Sequence, residues 1–191
     1  MNRAALVVTI AAAAAYLMLN QGGGDESTTA GDDSSNILLD GADTIMGMIN
    51  GWPSGSDPYQ QTITDAASQA GIPVSILAWT LWKESRYRPD IIDGTTRSKV
   101  GALGIAQFMP DTAPQWCGSV DGALDPDTAI PGCANYLAWL FRKTGTWQGA
   151  LAAYNWGIGN VTRKGLGAAP AETVDYYTTI LNKAGLAGAT V

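Results

Sequence analysis

The chain has 191 residues, 46% of them hydrophobic and 15% charged, which suits one folded domain with extensions. It contains no histidine, which excludes Ser/His/Asp triads, Cys/His nucleophile pairs and histidine-ligated metal sites. The net charge of −6 is unevenly placed: no basic residue falls between Arg3 and Lys83, whereas the chain from Lys83 onward is close to neutral and has no basic stripe for a nucleic acid.

After Met1-Asn2-Arg3, the run Ala4 to Leu19 is apolar except for Thr9. A spanning helix wants about 20 apolar residues, so residues 1–20 predict a marginal transmembrane anchor. Arg3 and the α-amine before it, and acids after it, place the N-terminus in the cytoplasm and the bulk of the chain outside. A cleaved signal peptide is the rival reading. The anchor is also similar to the signal-anchor-release segments of some phage endolysins. Residues 21–56 read as an acidic linker. Gln21 to Asn36 is mostly Gly, Ser, Thr and acids, a flexible tether. Ile37 to Ile49 predicts a short amphipathic helix that docks on the domain or binds a partner. Gly51 to Ser56 reads as a loop.

Residues 57–191 read as one mainly helical domain. Asp57-Pro58 marks a helix start, with the helix running to about Ala70 before Gly71 and Pro73. Val74 to Glu84 is apolar almost all round, the pattern of a buried helix, with Pro89 as its stop. Asp111 is expected to cap the next helix. Asp125-Pro126 opens another, interrupted or restarted at Pro131 and closed by Gly145. Thr146 to Tyr154 and Pro170 to about Ala184 follow, the latter with Val174, Tyr177, Ile180 and Leu181 at helical spacing. No period-two alternation is sustained, so at most a short hairpin fits, between Arg88 and Gly104. Cys117 and Cys133 are read either as one disulfide in an oxidising compartment or as two buried thiols.

Three segments carry the chemistry: Glu84-Ser85-Arg86-Tyr87-Arg88-Pro89, Gly101 to Pro110 with Gln107 and Met109, and Ala153 to Val161 with Tyr154, Asn155 and Trp156. Glu84 closes a hydrophobic run near a helix C-terminus. Burial and the helix dipole both disfavour its charge, and a carboxyl that holds its proton suits general-acid cleavage of a glycoside. A second carboxylate is not placed by any motif, since Asp90 and Asp93 lie in a polar loop.

In order and composition these segments resemble the E-S, G-x-x-G-x-x-Q-x-M-P and A-Y-N-x-G-x-G motifs of the soluble lytic transglycosylase (SLT) family, over about Asp57 to Ala184. The resemblance implies a lysozyme-like helical domain, no cofactor and no metal. It implies non-hydrolytic cleavage between N-acetylmuramic acid and N-acetylglucosamine in peptidoglycan. Glu84 would serve as acid and then base, the sugar's C6 hydroxyl would attack, and a 1,6-anhydromuramic end would form. Ser85, Tyr87, Gln107, Met109, Tyr154, Asn155 and Trp156 are the implied substrate-side residues, with Met109 packed beneath the cleft and the Tyr154 hydroxyl near the catalytic carboxyl. Each has a plainer reading in which Ser85, Gln107 and Asn155 bond backbone and the aromatics are core. Lys83, Arg86, Arg88, Arg97 and Lys99 form either a solvated rim or an attraction for anionic peptidoglycan. Leu103, Ala106, Trp156 and Ile158 depart from the family pattern, which puts substrate length and peptide preference in question. A goose-type-like lysozyme and a non-catalytic wall-binding virion module are the alternatives. The expected setting is a membrane-anchored periplasmic domain or a phage virion, with virion or secretion-complex proteins as further partners.

Overall fold

The computed structural model describes residues 51–187. The anchor over residues 1–20, the tether and the helix expected over Ile37 to Ile49 lie outside the described residues. Among the described residues, no helix is long and apolar enough to cross a membrane. Residues 51–56 form a loop as expected, yet Pro53 and Ser56 are buried and Trp52 packs on the core.

A 3-10 turn over Asp57–Tyr59 leads into α1, Gln60–Ala70. Its inward stripe is Ile63, Ala66 and Ala67, an i, i+3, i+4 set. Gly71, with φ +65°, returns its N–H to Ala67 and Ser68 and stops the helix. Helix α2, Val74–Ser85, is buried on every face from Val74 to Leu81. Its stop differs from expectation. Arg86 takes a left-handed φ of +55° and closes the helix onto the Trp82 carbonyl, with Tyr87 following at φ +53°. Pro89 instead starts the short α3, Pro89–Ile92, where its missing N–H costs nothing.

The segment between α3 and α4 contains one antiparallel bridge, Leu103 with Phe108, through paired bonds of 2.9 and 3.1 Å. It lies later in the chain than the expected hairpin. At its turn Gly104 has φ +68°, and a Cβ there would stand 1.8 Å from the Ala123 carbonyl oxygen. Helix α4 is Ala113–Cys117, with Thr112 before it and no side-chain cap. Asp111 is exposed and does not cap it. A 3-10 turn, Asp121–Leu124, then leads to α5.

Helix α5, Pro126–Thr144, is the central strut, packed against α1, α4, α6 and α2. Asp125 accepts from the Asp127 N–H at 3.1 Å and the Thr128 hydroxyl at 2.8 Å, a capping arrangement. Pro131 does not interrupt it. The proline falls in the second turn, and the helix passes through without that residue's N–H. Helix α6, Trp147–Trp156, is capped by Thr146, whose hydroxyl accepts from Gly149 at 3.0 Å. It extends past Tyr154 to Trp156 and is closed by Gly157. Helix α7, Ile158–Lys164, was not anticipated. Helix α8, Ala171–Lys183, packs on both α6 and α2. Its buried face is Thr173, Tyr176 and Ile180. The expected face is therefore rotated: Val174 is 38% exposed, and Tyr176 rather than Tyr177 points inward.

Candidate active site

Glu84 is one residue from the end of α2, and its carboxyl accepts a short hydrogen bond from the Tyr176 hydroxyl on α8. It lines an open pocket of about 340 Å³ together with Lys83, Asn155, Glu172, Asp175 and Tyr176. Withdrawal from water pushes the Glu84 pKa from 4.5 up to about 7, against the opposing pull of the Tyr176 bond and the Lys83 charge. The residue as a whole is partly exposed. A carboxyl titrating near neutrality at the wall of a pocket can both give and take a proton.

The expected site residues divide into two groups. Asn155 shares the pocket with Glu84, and its side-chain oxygen accepts from the Thr173 hydroxyl at 2.7 Å. Trp156 is partly exposed beside it in sequence, with Lys164 Nζ 5.3 Å from its ring. Gln107 is held at φ +50°, and its amide donates to the Gly104 carbonyl at 2.8 Å, which fixes the turn. Met109 is 42% exposed, so it does not pack beneath the cleft. Tyr154 donates to the Ala106 carbonyl at 2.8 Å and lies 3.5 Å from Cys133 Sγ. Its hydroxyl thus ties α6 to the Gln107 segment near Glu84, whose charge it feels, while the phenol bonded to the carboxyl is Tyr176.

Ser85 and Tyr87 face away from the pocket. Ser85 is wholly buried, donating to the Leu81 carbonyl and accepting from the Tyr87 N–H, both at 3.1 Å. One helical position turns a side chain by about 100°, so when Glu84 faces the pocket its neighbour cannot. Tyr87 is 5% exposed, stacked on Tyr59, with its hydroxyl donating to the Ala78 carbonyl at 2.8 Å. Both residues stabilise the left-handed stop after Glu84.

Cys117 and Cys133 are free buried thiols rather than a disulfide. Cys133 is engaged by Tyr154, while Cys117 packs where a Gly132 Cβ would stand, 3.0 Å away. The basic residues near Glu84 are largely satisfied internally. Lys83 pairs with Asp175 at 2.6 Å, Arg88 with Asp90 at 2.6 Å, and the Arg86 guanidinium lies 3.4 Å over the Trp82 ring. Among the described residues no group of three His, Cys, Asp or Glu is placed to hold a metal ion.

Tyr176, bonded to Glu84 in the pocket wall, is the candidate site residue that the sequence reading did not single out. The signal was present: Thr173, Tyr176, Ile180 and Ala184 repeat at three and four residues.

Among the described residues the architecture is a mainly helical, lysozyme-like one with almost no strand. The solved 70 kDa soluble lytic transglycosylase from Escherichia coli is similar to it at a TM-score of 0.59 and 26% identity, over 80% of this chain and 28% of that one. The transglycosylase SLT domain matches residues 61–174, more than half of the chain, and the chain belongs to that family. Peptidoglycan transglycosylase gp16 of Escherichia phage T7 is 35% identical over 109 residues, covering 54% of this chain and 8% of that protein. Membrane-bound lytic murein transglycosylase F 1 of Alkalilimnicola ehrlichii is 32% identical over 111 residues, covering 54% and 21%. A transglycosylase of Enterobacteria phage PRD1 is 34% identical over 104 residues, covering 54% and 37%. The match thus takes in well under half the length of each of these relatives.

Proposed function

We propose that this protein is a peptidoglycan lytic transglycosylase that cleaves the β-1,4 bond between N-acetylmuramic acid and N-acetylglucosamine without consuming water. The reading is carried by one observation: of the three carboxyls lining an open pocket, Glu84 is the one pushed up to about 7 by burial, and it is held by a phenol. Glu84 donates its proton to the glycosidic oxygen as the bond to the anomeric carbon breaks. The C6 hydroxyl of the same muramic residue then bonds to that carbon and returns its proton to Glu84. The product end is 1,6-anhydromuramic acid, and the glutamic acid is regenerated. Tyr176 orients the carboxyl, and Asn155, Gln107, Met109 and Trp156 contact the glycan. Tyr154 holds the Ala106–Gln107 backbone in place.

Family membership and the three relatives named for transglycosylases support this reading. The two phage relatives favour local cell-wall opening in a phage setting, with residues 1–20 as a membrane anchor that leaves the domain in the periplasm. Loss of clearing by Glu84→Gln on peptidoglycan gels tests the assignment; retained clearing overturns it in favour of a wall-binding module. Hydrolysis is the second reading, because Glu172 lines the same pocket and a second carboxylate is what a water-activating base requires. If Glu172→Gln abolishes turnover as completely as Glu84→Gln, that reading replaces the first.

A further inference from the structure

Two consecutive residues of α2 are gripped by two consecutive residues of α8. Asp175 binds the Lys83 ammonium at 2.6 Å, and Tyr176 binds the Glu84 carboxyl. All four line one pocket. Thr179, one turn along α8, stands 3.5 Å from Lys83 Nζ and 3.4 Å from Asp175, so the ammonium is held on the α8 side. The Lys83 side chain is largely buried, whereas that of Asp175 is mostly in water. Exposed ion pairs add little to stability, so the consequence of this pair lies in where it keeps the charge.

We propose that Asp175 is a positioning residue, which by binding Lys83 keeps that ammonium from pairing with Glu84 and so keeps the carboxyl available as a proton donor. The inference rests on the reading of Glu84 as the general acid. A lysine stem is flexible, and a free ammonium beside a carboxylate favours its ionised form. The groups around Glu84 are Lys83 on α2, Glu172, Asp175 and Tyr176 on α8, Tyr154 on α6 and Cys133 on α5, with the Arg86 charge acting on Asp175. Burial pushes the two phenols and the thiol up, and they stay neutral at working pH. Lys83 is therefore the charged group that acts on the Glu84 carboxyl, with Asp175 and Glu172 in the same pocket wall. Arg86 is stacked on Trp82, and Lys83 is the cation one residue from Glu84.

The sign of each substitution follows. Because the acid must be protonated to act, activity falls as pH rises through its pKa. Asp175→Asn releases Lys83 and moves this alkaline limb to lower pH, by about half a unit or more at low salt. Lys83→Gln leaves Asp175 unneutralised and moves the limb to higher pH. The double variant returns it close to the wild-type position. The experiment is the pH–rate profile of the full chain and these variants on purified glycan strands, with Glu84→Gln alongside. Opposite shifts with recovery in the double variant support the proposal. An unmoved limb in Lys83→Gln, or shifts of the same sign in both single variants, overturns it while an inactive Glu84→Gln leaves the enzyme assignment standing. An active Glu84→Gln overturns that assignment as well.

Discussion

The chemistry at the residue scale turns on a carboxyl whose charge is costly. Glu84 is withdrawn from water and sits at the negative end of a helix, and both effects favour the proton. Because its folded pKa is raised, its stabilising contribution is complete below about pH 4.5 and is lost as pH rises through about 7. Glu84→Gln therefore stabilises the fold at pH 8, by on the order of 2–3 kcal/mol, and changes little at pH 4. Thermal melts at the two pH values check this; equal shifts at both would contradict it. Tyr176 acts in the opposite sense, since its hydrogen bond favours the ionised carboxylate. Tyr176→Phe should move the alkaline limb to higher pH and lower kcat about tenfold by losing orientation, with KM changing less. An unmoved limb would show that the phenol does not govern the carboxyl. The position of Glu84, at the end of a buried helix, was legible because a lone acid closes an apolar run. Ser85 and Tyr87 were misread because membership of a motif says nothing about which way a side chain points. Ser85 serves the helix stop, an alternative open to any serine at a C-terminus.

At the scale of elements, the pocket is built by α8 and α5 packing on α2 and by the Gln107 segment tied to α6. Tyr154 pins the Gln107 segment to α6, α8 closes over Glu84, and α5 supports the whole from beneath. Tyr154→Phe removes a single bond worth about 1 kcal/mol, so activity should drop while the melting temperature moves only a few degrees. Unchanged kinetics would remove Tyr154 from the site. The Asp125 cap predicts a loss of about 1 kcal/mol for Asp125→Ala in denaturant unfolding. Gly104→Ala should be far more damaging, because the new Cβ meets the Ala123 backbone at a left-handed φ. Helix boundaries written in Asp-Pro, Gly and Thr were legible in the sequence: α1 ends at Gly71, α5 starts at Asp125, and α6 starts at Thr146. The end of α2 was legible to within one residue but its stop signal was not, because Arg86 and Tyr87 adopt left-handed angles that no residue preference announces. The inward face of α8 was misread by one position, since its tyrosines are adjacent and only packing on α2 and α6 selects between them.

The whole molecule joins a compact helical body to an N-terminal region that is acidic beyond its apolar start. The family and the helical class were legible from three short motifs, whereas the pairing of α2 with α8 was not, because it joins residues 92 positions apart. If residues 1–20 anchor the chain, a version starting at Gly51 should fold, keep its turnover on isolated sacculi and lose its association with membranes. Retention in the membrane fraction would contradict the anchor. The central claim is that one carboxyl does both proton transfers and that the sugar itself supplies the nucleophile. Mass spectrometry of the ends released from purified sacculi tests it most directly. Attack by the C6 hydroxyl gives 1,6-anhydromuramic ends, each one water lighter than a hydrolysed end and absent with Glu84→Gln. Reducing muramic ends from the first turnovers would contradict it.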